Sequence, residues 1–385
     1  MAPGFRFRRA LARAERLVPV FAGLLSVSAA LAQAPDADRL NVMIEALGRL
    51  GPEQVNANPK LKTALDKVLE ATRGTPQFVE LVRKFQRTDQ NPGLLATAVQ
   101  NPTNSTGVDA LRLLLENGGI DLVKRSLNDT NAVRAAATVQ LLGNTGDRQI
   151  EPLLEPVVTD VARDITVRKQ AVRSLARIQE GAAFLLRLAK ADKLADDLRF
   201  TASAELNQVH WPQLKAEAAM ILPLPQGQNA RPLPPIADLV KMPGDAKRGV
   251  EVFRRDTVGC IKCHQVRGEG ADVGPNLSEI GTKLGKDALY EAILDPSAGI
   301  SFGYEAWQLD LKNGDEAYGL IVSETEDDIA IKAQTGIVVK YKKADIARRN
   351  KQKLSIMPAG LQQAMSTQEL VDLVEYLSSL KKGAN

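Results

Sequence analysis

Residues 260–264 read Cys260-Ile261-Lys262-Cys263-His264, the Cys-x-x-Cys-His spacing of a c-type haem attachment sequence. Two thiols on one turn of helix can each add to a vinyl group of the porphyrin. The next residue is then carried beneath the ring, where its imidazole can bind iron. Cys260 and Cys263 are the only cysteines among 385 residues, and His264 is one of two histidines. A zinc site needs about four ligands, and the sequence holds no second Cys/His cluster. A thioredoxin-like pair needs a βαβ setting, which the flanking residues do not supply.

The stretch around this motif, from about Gly244 to Leu380, reads as a small domain closed by its two ends. Asp245 is a good N-cap, and Ala246, Gly249, Val250 and Phe253 share one helical face. A glycine inside a helix costs roughly 1 kcal/mol relative to Ala, so Gly249 predicts a close crossing by another helix. The last helix is the natural partner: Ser366-Thr367-Gln368-Glu369 fits a capping box, and Leu370, Leu373, Val374 and Leu377 form its apolar stripe. Terminal helices meeting beside a haem motif are the frame of a class I cytochrome c. Between them, residues 304–343 have a different texture. Alternation and β-branched residues predict four short antiparallel strands, Trp307–Leu311, Ala317–Val322, Ile329–Lys332 and Ile337–Tyr341, with Asn313-Gly314 as a hairpin turn.

A class I cytochrome closes the sixth iron position with a thioether or a second imidazole. Met357, in Ser355-Ile356-Met357-Pro358, is placed to fold over the distal face. It lies 93 residues after His264, and 53 once the 40 residues of the insertion are set aside. Pro358 stiffens the backbone beside it. Met365 is the runner-up, and Lys351 or Lys353 could serve if Met357 does not. On the proximal side, the Pro275 carbonyl in Gly274-Pro275-Asn276-Leu277 could accept the His264 ring N–H and fix its tautomer. An ordinary Gly-Pro turn is the equal alternative.

N-terminal to this domain the pattern is helical from about Asp38 to Leu222. Val133-Arg134, Val167-Arg168 and Leu198-Arg199 open matching helices 34 and 31 residues apart, each followed by Ala and Leu at plus four and plus eight. Helix pairs at this period predict a HEAT-like α-solenoid over residues 35–222. His210, beside Trp211-Pro212, reads as a helix-end packing residue. Residues 223–243, with six prolines, read as an extended connector along the surface. The expected fold class is therefore mainly α, a helical repeat domain followed by a c-type cytochrome domain (244–385) with a small β insertion.

Residues 1–34 read as a secretory signal peptide: five arginines near the start, an apolar stretch from Leu17 to Leu31, then Ala32-Gln33-Ala34. The apolar stretch is short of the roughly 20 residues that span a bilayer, so no stable membrane span is expected after its removal. Removing this segment also removes five basic residues and one acid, leaving 45 of each sign. A neutral mature chain gives no compositional case for nucleic-acid binding. Export to the periplasm agrees with covalent haem attachment, which takes place on the oxidising side of the membrane.

The C-terminal 140 or so residues resemble the planctomycete-type haem-binding cytochrome c domain family, whose members often carry HEAT-like repeats. The motifs that carry the resemblance are Cys260–His264, Gly268-Glu269-Gly270, Val273–Leu277, Ile293-Leu294-Asp295-Pro296-Ser297, Gly303-Tyr304, Asn313-Gly314, Met357-Pro358 and Leu370–Leu380. The resemblance implies that Cys260 and Cys263 bind haem c and that His264 and Met357 ligate its iron. Many relatives add a β-propeller resembling sugar dehydrogenases, and this sequence shows no such repeat. The expected role is thus electron transfer rather than catalysis, with a redox partner protein, a dehydrogenase or an acceptor, docked on the repeats. A haem enzyme or gas-ligand sensor with an open iron position is the alternative, and an interaction scaffold with a structural haem is a third.

Overall fold

The computed structural model describes residues 36–224, 232–255 and 257–383. The segment read as a signal peptide and residues 225–231 of the connector lie outside the described residues. The chain forms two units, one reaching to Arg73 with Lys84–Gln86, the other made of Gly74–Arg83 and Arg87 onward. In the first, helices Asp36–Gly48, Pro52–Asn56 and Pro59–Ala71 carry the buried residues Leu47, Val55, Leu65, Val68 and Leu69.

The second unit holds the repeated helices and the haem-motif region. Helix Ala132–Thr145 packs on Ile165–Leu175, which packs on Asp196–Leu206, so the three matching helices lie in succession. Val167, Ala171 and Leu175 are buried, as are Leu198, Ala202 and Leu206. The first copy departs from this pattern, because Val133 is 78% exposed. Its buried stripe runs through Ala135, Thr138, Val139 and Leu142, with Ala137 only half-buried, so the helix is turned by about one position relative to the other two. One residue is a rotation of about 100°, enough to carry a side chain from core to solvent.

In the C-terminal region, helix Ala246–Arg254 crosses the last helix, Thr367–Ser379, with the apolar stripe of each turned inward. Val252, Phe253, Leu289, Tyr290, Ile293, Leu370, Val374 and Leu377 form one core. The crossing is close. A Cβ on Gly249 would lie 2.1 Å from the Asp372 carbonyl oxygen and 2.6 Å from Tyr376 Cβ. Both are parts of the facing helix that cannot swing aside. Gly249→Ala should therefore destabilise the holoprotein by about 2 kcal/mol, despite the better helix propensity of Ala. Thermal unfolding followed at the haem absorbance checks this, and an unchanged or raised midpoint would show that the helices can separate freely. Asp372, 1% exposed, fixes the same crossing by accepting bonds from Asp245 N–H and Arg248. Burial pushes its carboxyl up, but the bonds from Arg248, Gln368 and Asp245 outweigh this and hold it below the usual range.

Part of the connector joins this core. Ile236–Leu239 is a helical turn with Leu239 fully buried, where an extended surface segment was expected. No proline falls between Pro235, which begins the turn, and Pro243, so nothing prevents Ile236, Leu239 and Val240 from packing inward.

The β insertion is one antiparallel sheet of five strands, not four, in the order β4-β3-β2-β1-β5. β1 is Ala306–Leu311, β2 Glu316–Glu324, β3 Asp328–Lys332, β4 Val338–Lys342 and β5 Ile346–Lys351. β5 returns to pair with β1, from Trp307 opposite Lys351 to Leu311 opposite Ile346. The insertion thus ends near Lys351 rather than 343.

The sheet lies against the preceding helical segment. Val108 is buried with Ile337 and Val339. Arg112 sits 5.1 Å over the Tyr341 ring and donates to its hydroxyl at 3.1 Å. The Arg148 N–H reaches Asp315 at 3.1 Å, and Trp211 Nε1–H reaches Glu316 at 3.0 Å.

Candidate haem site

Cys260–Lys262 form a single tight turn entered from Gly259 at φ +80. The N–H groups of Cys263 and His264 both point back to the Cys260 carbonyl, at 3.1 and 2.9 Å. Segment 271–277 then folds onto the motif. Ala271 N–H bonds Ile261 O at 3.0 Å, Val273 and Gly274 N–H bond Cys263 O at 3.0 and 2.7 Å, and Leu277 N–H bonds Gln265 O at 2.8 Å. Two glycines make room for this return. Gly270, at φ +104, passes where a Cβ would be 2.2 Å from the His264 carbonyl. Gly274 passes the His264 ring itself, where a Cβ would be 2.5 Å from Cε1.

The return places the Pro275 carbonyl oxygen 2.8 Å from His264 Nδ1. Burial pushes the His264 pKa down, with the Pro275 carbonyl opposing. The ring is therefore neutral at pH 7. With Nδ1–H donating to Pro275, the lone pair sits on Nε2, the form a metal requires. Burial raises both thiols, Cys260 to about 11 and Cys263 in the same direction. Catalytic and redox cysteines are instead marked by lowered values.

Met357 stands in a loop tied down by side-chain hydrogen bonds. Its N–H bonds Ser355 Oγ at 3.1 Å, the Ser355 N–H bonds Ser297 Oγ at 3.1 Å, and Gln334 donates to the Ile356 carbonyl at 3.1 Å. His264 and Met357 line one small apolar cavity with Cys260, Leu277, Ile293 and Leu361. Of the competing ligands, Met365 also lines this small cavity, but it is 7% exposed, packs in the core with Leu370 and Leu373, and, unlike Met357, does not line the larger cavity beside it. Lys351 lies on β5 and pairs with Glu305 at 3.1 Å, and Lys353 is exposed. Neither lysine is among the residues lining this cavity or the larger one beside it.

That larger cavity, of about 1310 Å³, is lined by Cys260, Cys263, His264 and Met357 and also by Arg177, His210 and Trp211 of the helical segment. Residues 246–318 match the cytochrome c family model. The match implies covalently bound haem c with iron, and it makes this region of the chain a cytochrome c domain. Among curated proteins nothing matches the chain. The residues present fit the group: two thiols flank a turn, a neutral imidazole offers Nε2, and the glycine at 274 leaves the space that the imidazole occupies.

Three residues that support the cytochrome c domain are not marked as parts of a site by the sequence alone. Ser297 stands out only as the end of the Asp-Pro-Ser motif, yet its hydroxyl carries the backbone of the Met357 loop. Ser355 precedes Met357 by two residues, the spacing of a local side-chain turn, which is a usable signal. Gln334, on the β3–β4 turn, gives none.

Proposed function

We propose that the protein is an exported mono-haem c-type cytochrome that carries single electrons, with His264 and Met357 as the iron ligands. Residues 1–34 are then removed on export. The helical part acts as a HEAT-like α-solenoid and docks a redox partner on surface left free by the sheet. Haem c supplies one-electron chemistry at its iron. Cys260 and Cys263 would hold it through thioethers, Pro275 keeps the imidazole in the ligating tautomer, and Leu277, Ile293 and Leu361 line the cavity against water. The observation that carries this reading is that Met357, unlike Met365, lines both the small apolar cavity and the large one together with His264, whose Nδ1 is already committed to Pro275. Among the described residues no helix is long and apolar enough to cross a membrane, which agrees with a partner-docking carrier.

The native protein, recovered from the periplasmic fraction and beginning near Pro35, should give a reversible one-electron wave. Its ferric form should show the weak near-infrared sulfur-to-iron band, and its ferrous form should resist carbon monoxide. Ready binding of carbon monoxide would favour the alternative, a gas-ligand sensor or haem enzyme with an open position.

A further inference from the structure

The helical segment meets the cytochrome c domain at a ring stack beside the Trp211–Glu316 hydrogen bond. His210 lies parallel to Tyr318, with ring centroids 4.0 Å apart and planes 5° from parallel. Its Nε2 is buried without a hydrogen-bond partner. The nearest carboxylate oxygen, Glu316 Oε2, is 4.0 Å away and already accepts from Trp211. Burial pushes the His210 pKa down to about 4, so the ring is neutral. A buried polar nitrogen left unpaired is a cost. What the ring provides in return is its flat face.

That face bears on the residues behind both axial positions. Tyr318 packs, together with Cys263 and Tyr304, against a small cluster of Val273, Ala306, Leu320 and Ile356. Val273 precedes Gly274-Pro275, which holds the His264 ring, and Ile356 precedes Met357. The proximal return and the distal loop therefore share one apolar support, built on β1 and β2, with Tyr318 packed against it.

We propose that His210 is a positioning residue for the distal ligand: by backing Tyr318 it holds the Ile356–Met357 segment in place, so that the helical repeats govern whether the sixth iron position stays closed. The proposal rests on Met357 being the distal ligand. It gives the repeats a second role beyond docking, since a partner that shifts residues near His210 would alter the iron site through Tyr318.

The test uses the full-length holoprotein. His210→Ala removes the ring, whereas His210→Phe keeps a flat face and removes the unpaired nitrogen. In His210→Ala, covalent haem content should be unchanged while the sulfur-to-iron band weakens. The apparent affinity of the ferrous form for carbon monoxide should rise on the order of tenfold, the scale of an ordinary coupling between sites. His210→Phe should restore native values on both readouts. If His210→Ala yields too little folded protein, His210→Leu, which keeps apolar bulk without a flat ring, should show the same opening. The positioning role is overturned if the Ala or Leu variant loses only thermal stability, or if His210→Phe behaves like His210→Ala. Met357→Ala measured in parallel separates the two readings. If Met357→Ala opens the site and His210→Ala does not, positioning alone fails. If Met357→Ala changes neither the band nor carbon monoxide binding, the ligand assignment fails first. In the Met357→Ala background, His210→Ala should add nothing to carbon monoxide affinity.

Discussion

Met357→Ala should lower the reduction potential by on the order of 0.2 V, about a quarter of the ~0.8 V over which axial ligands move haem iron. A thioether is a soft, neutral donor that favours the ferrous state, and its loss leaves water or hydroxide to favour the ferric one. The sulfur-to-iron band should vanish, and the ferrous protein should take up carbon monoxide. Haem should remain attached, because its thioether bonds to Cys260 and Cys263 do not depend on the Met357 side chain. The backbone of that loop is held by Ser297, Ser355 and Gln334 rather than by the thioether, so folding stability should change little. Met365→Leu is the control. Met365 fills the core beside Leu370 and Leu373, and a volume-conserving exchange there should cost less than about 1.5 kcal/mol while leaving band and potential intact. An unchanged potential in Met357→Ala would remove Met357 from the iron.

Much of the C-terminal region was legible because its signals are local. The attachment motif sits within five residues, Asp245 and Ser366 announce their helices through adjacent backbone groups, and Gly249 marks a crossing by lacking a side chain. β5 was not legible for the opposite reason. Ile346-Ala347-Arg348-Arg349-Asn350-Lys351 shows no apolar alternation, because it is an edge strand whose charges find partners on other strands and just before β1. Arg348 pairs with Asp310 at 2.6 Å, Arg349 with Glu324 at 3.1 Å, and Lys351 with Glu305 at 3.1 Å. Charged edges of this kind also discourage pairing with another chain.

The meeting of sheet and helices was hidden for a related reason. Trp211 and Glu316 are 105 residues apart, and Arg112 and Tyr341 are 229 apart. Each looks like an ordinary surface residue in its own neighbourhood. His210 read correctly as a packing residue, but nothing beside it could indicate that it packs on Tyr318. Local periodicity identifies which face of an element is buried and leaves open what buries it. The Pro275 carbonyl shows the same limit, because the sequence left its aim at His264 even with an ordinary Gly-Pro turn, and only the folded return decides between them.

Gly274→Val should do the greatest damage to the proximal side. A Cβ at this position would stand 2.5 Å from His264 Cε1, 2.8 Å from Nδ1 and 3.0 Å from Nε2. The backbone at Gly274 is not in the left-handed region, so space is the sole objection to a side chain. Space cannot be made by Gly274 itself, whose N–H is tied to Cys263 O at 2.7 Å. The imidazole must turn instead, and in turning it loses the Pro275 carbonyl. Overpacking of this kind costs about 1–3 kcal/mol and the lost hydrogen bond about 1 more, so a loss of about 3 kcal/mol is expected. The spectroscopic effect should be larger than the energetic one. Haem should stay joined to Cys260 and Cys263 while the histidine-ligated spectrum is lost, and added imidazole should restore much of it by taking the vacated position. Gly268→Ala separates crowding from backbone strain in the same loop. Gly268 has φ +84, and a Cβ added to it would meet nothing within 4 Å, so the exchange should cost about 1–2 kcal/mol of left-handed strain and leave the iron spectrum unaltered. A native spectrum in Gly274→Val would mean that His264 has room to ligate without the Pro275 contact, and the geometry assigned to the proximal side would be wrong.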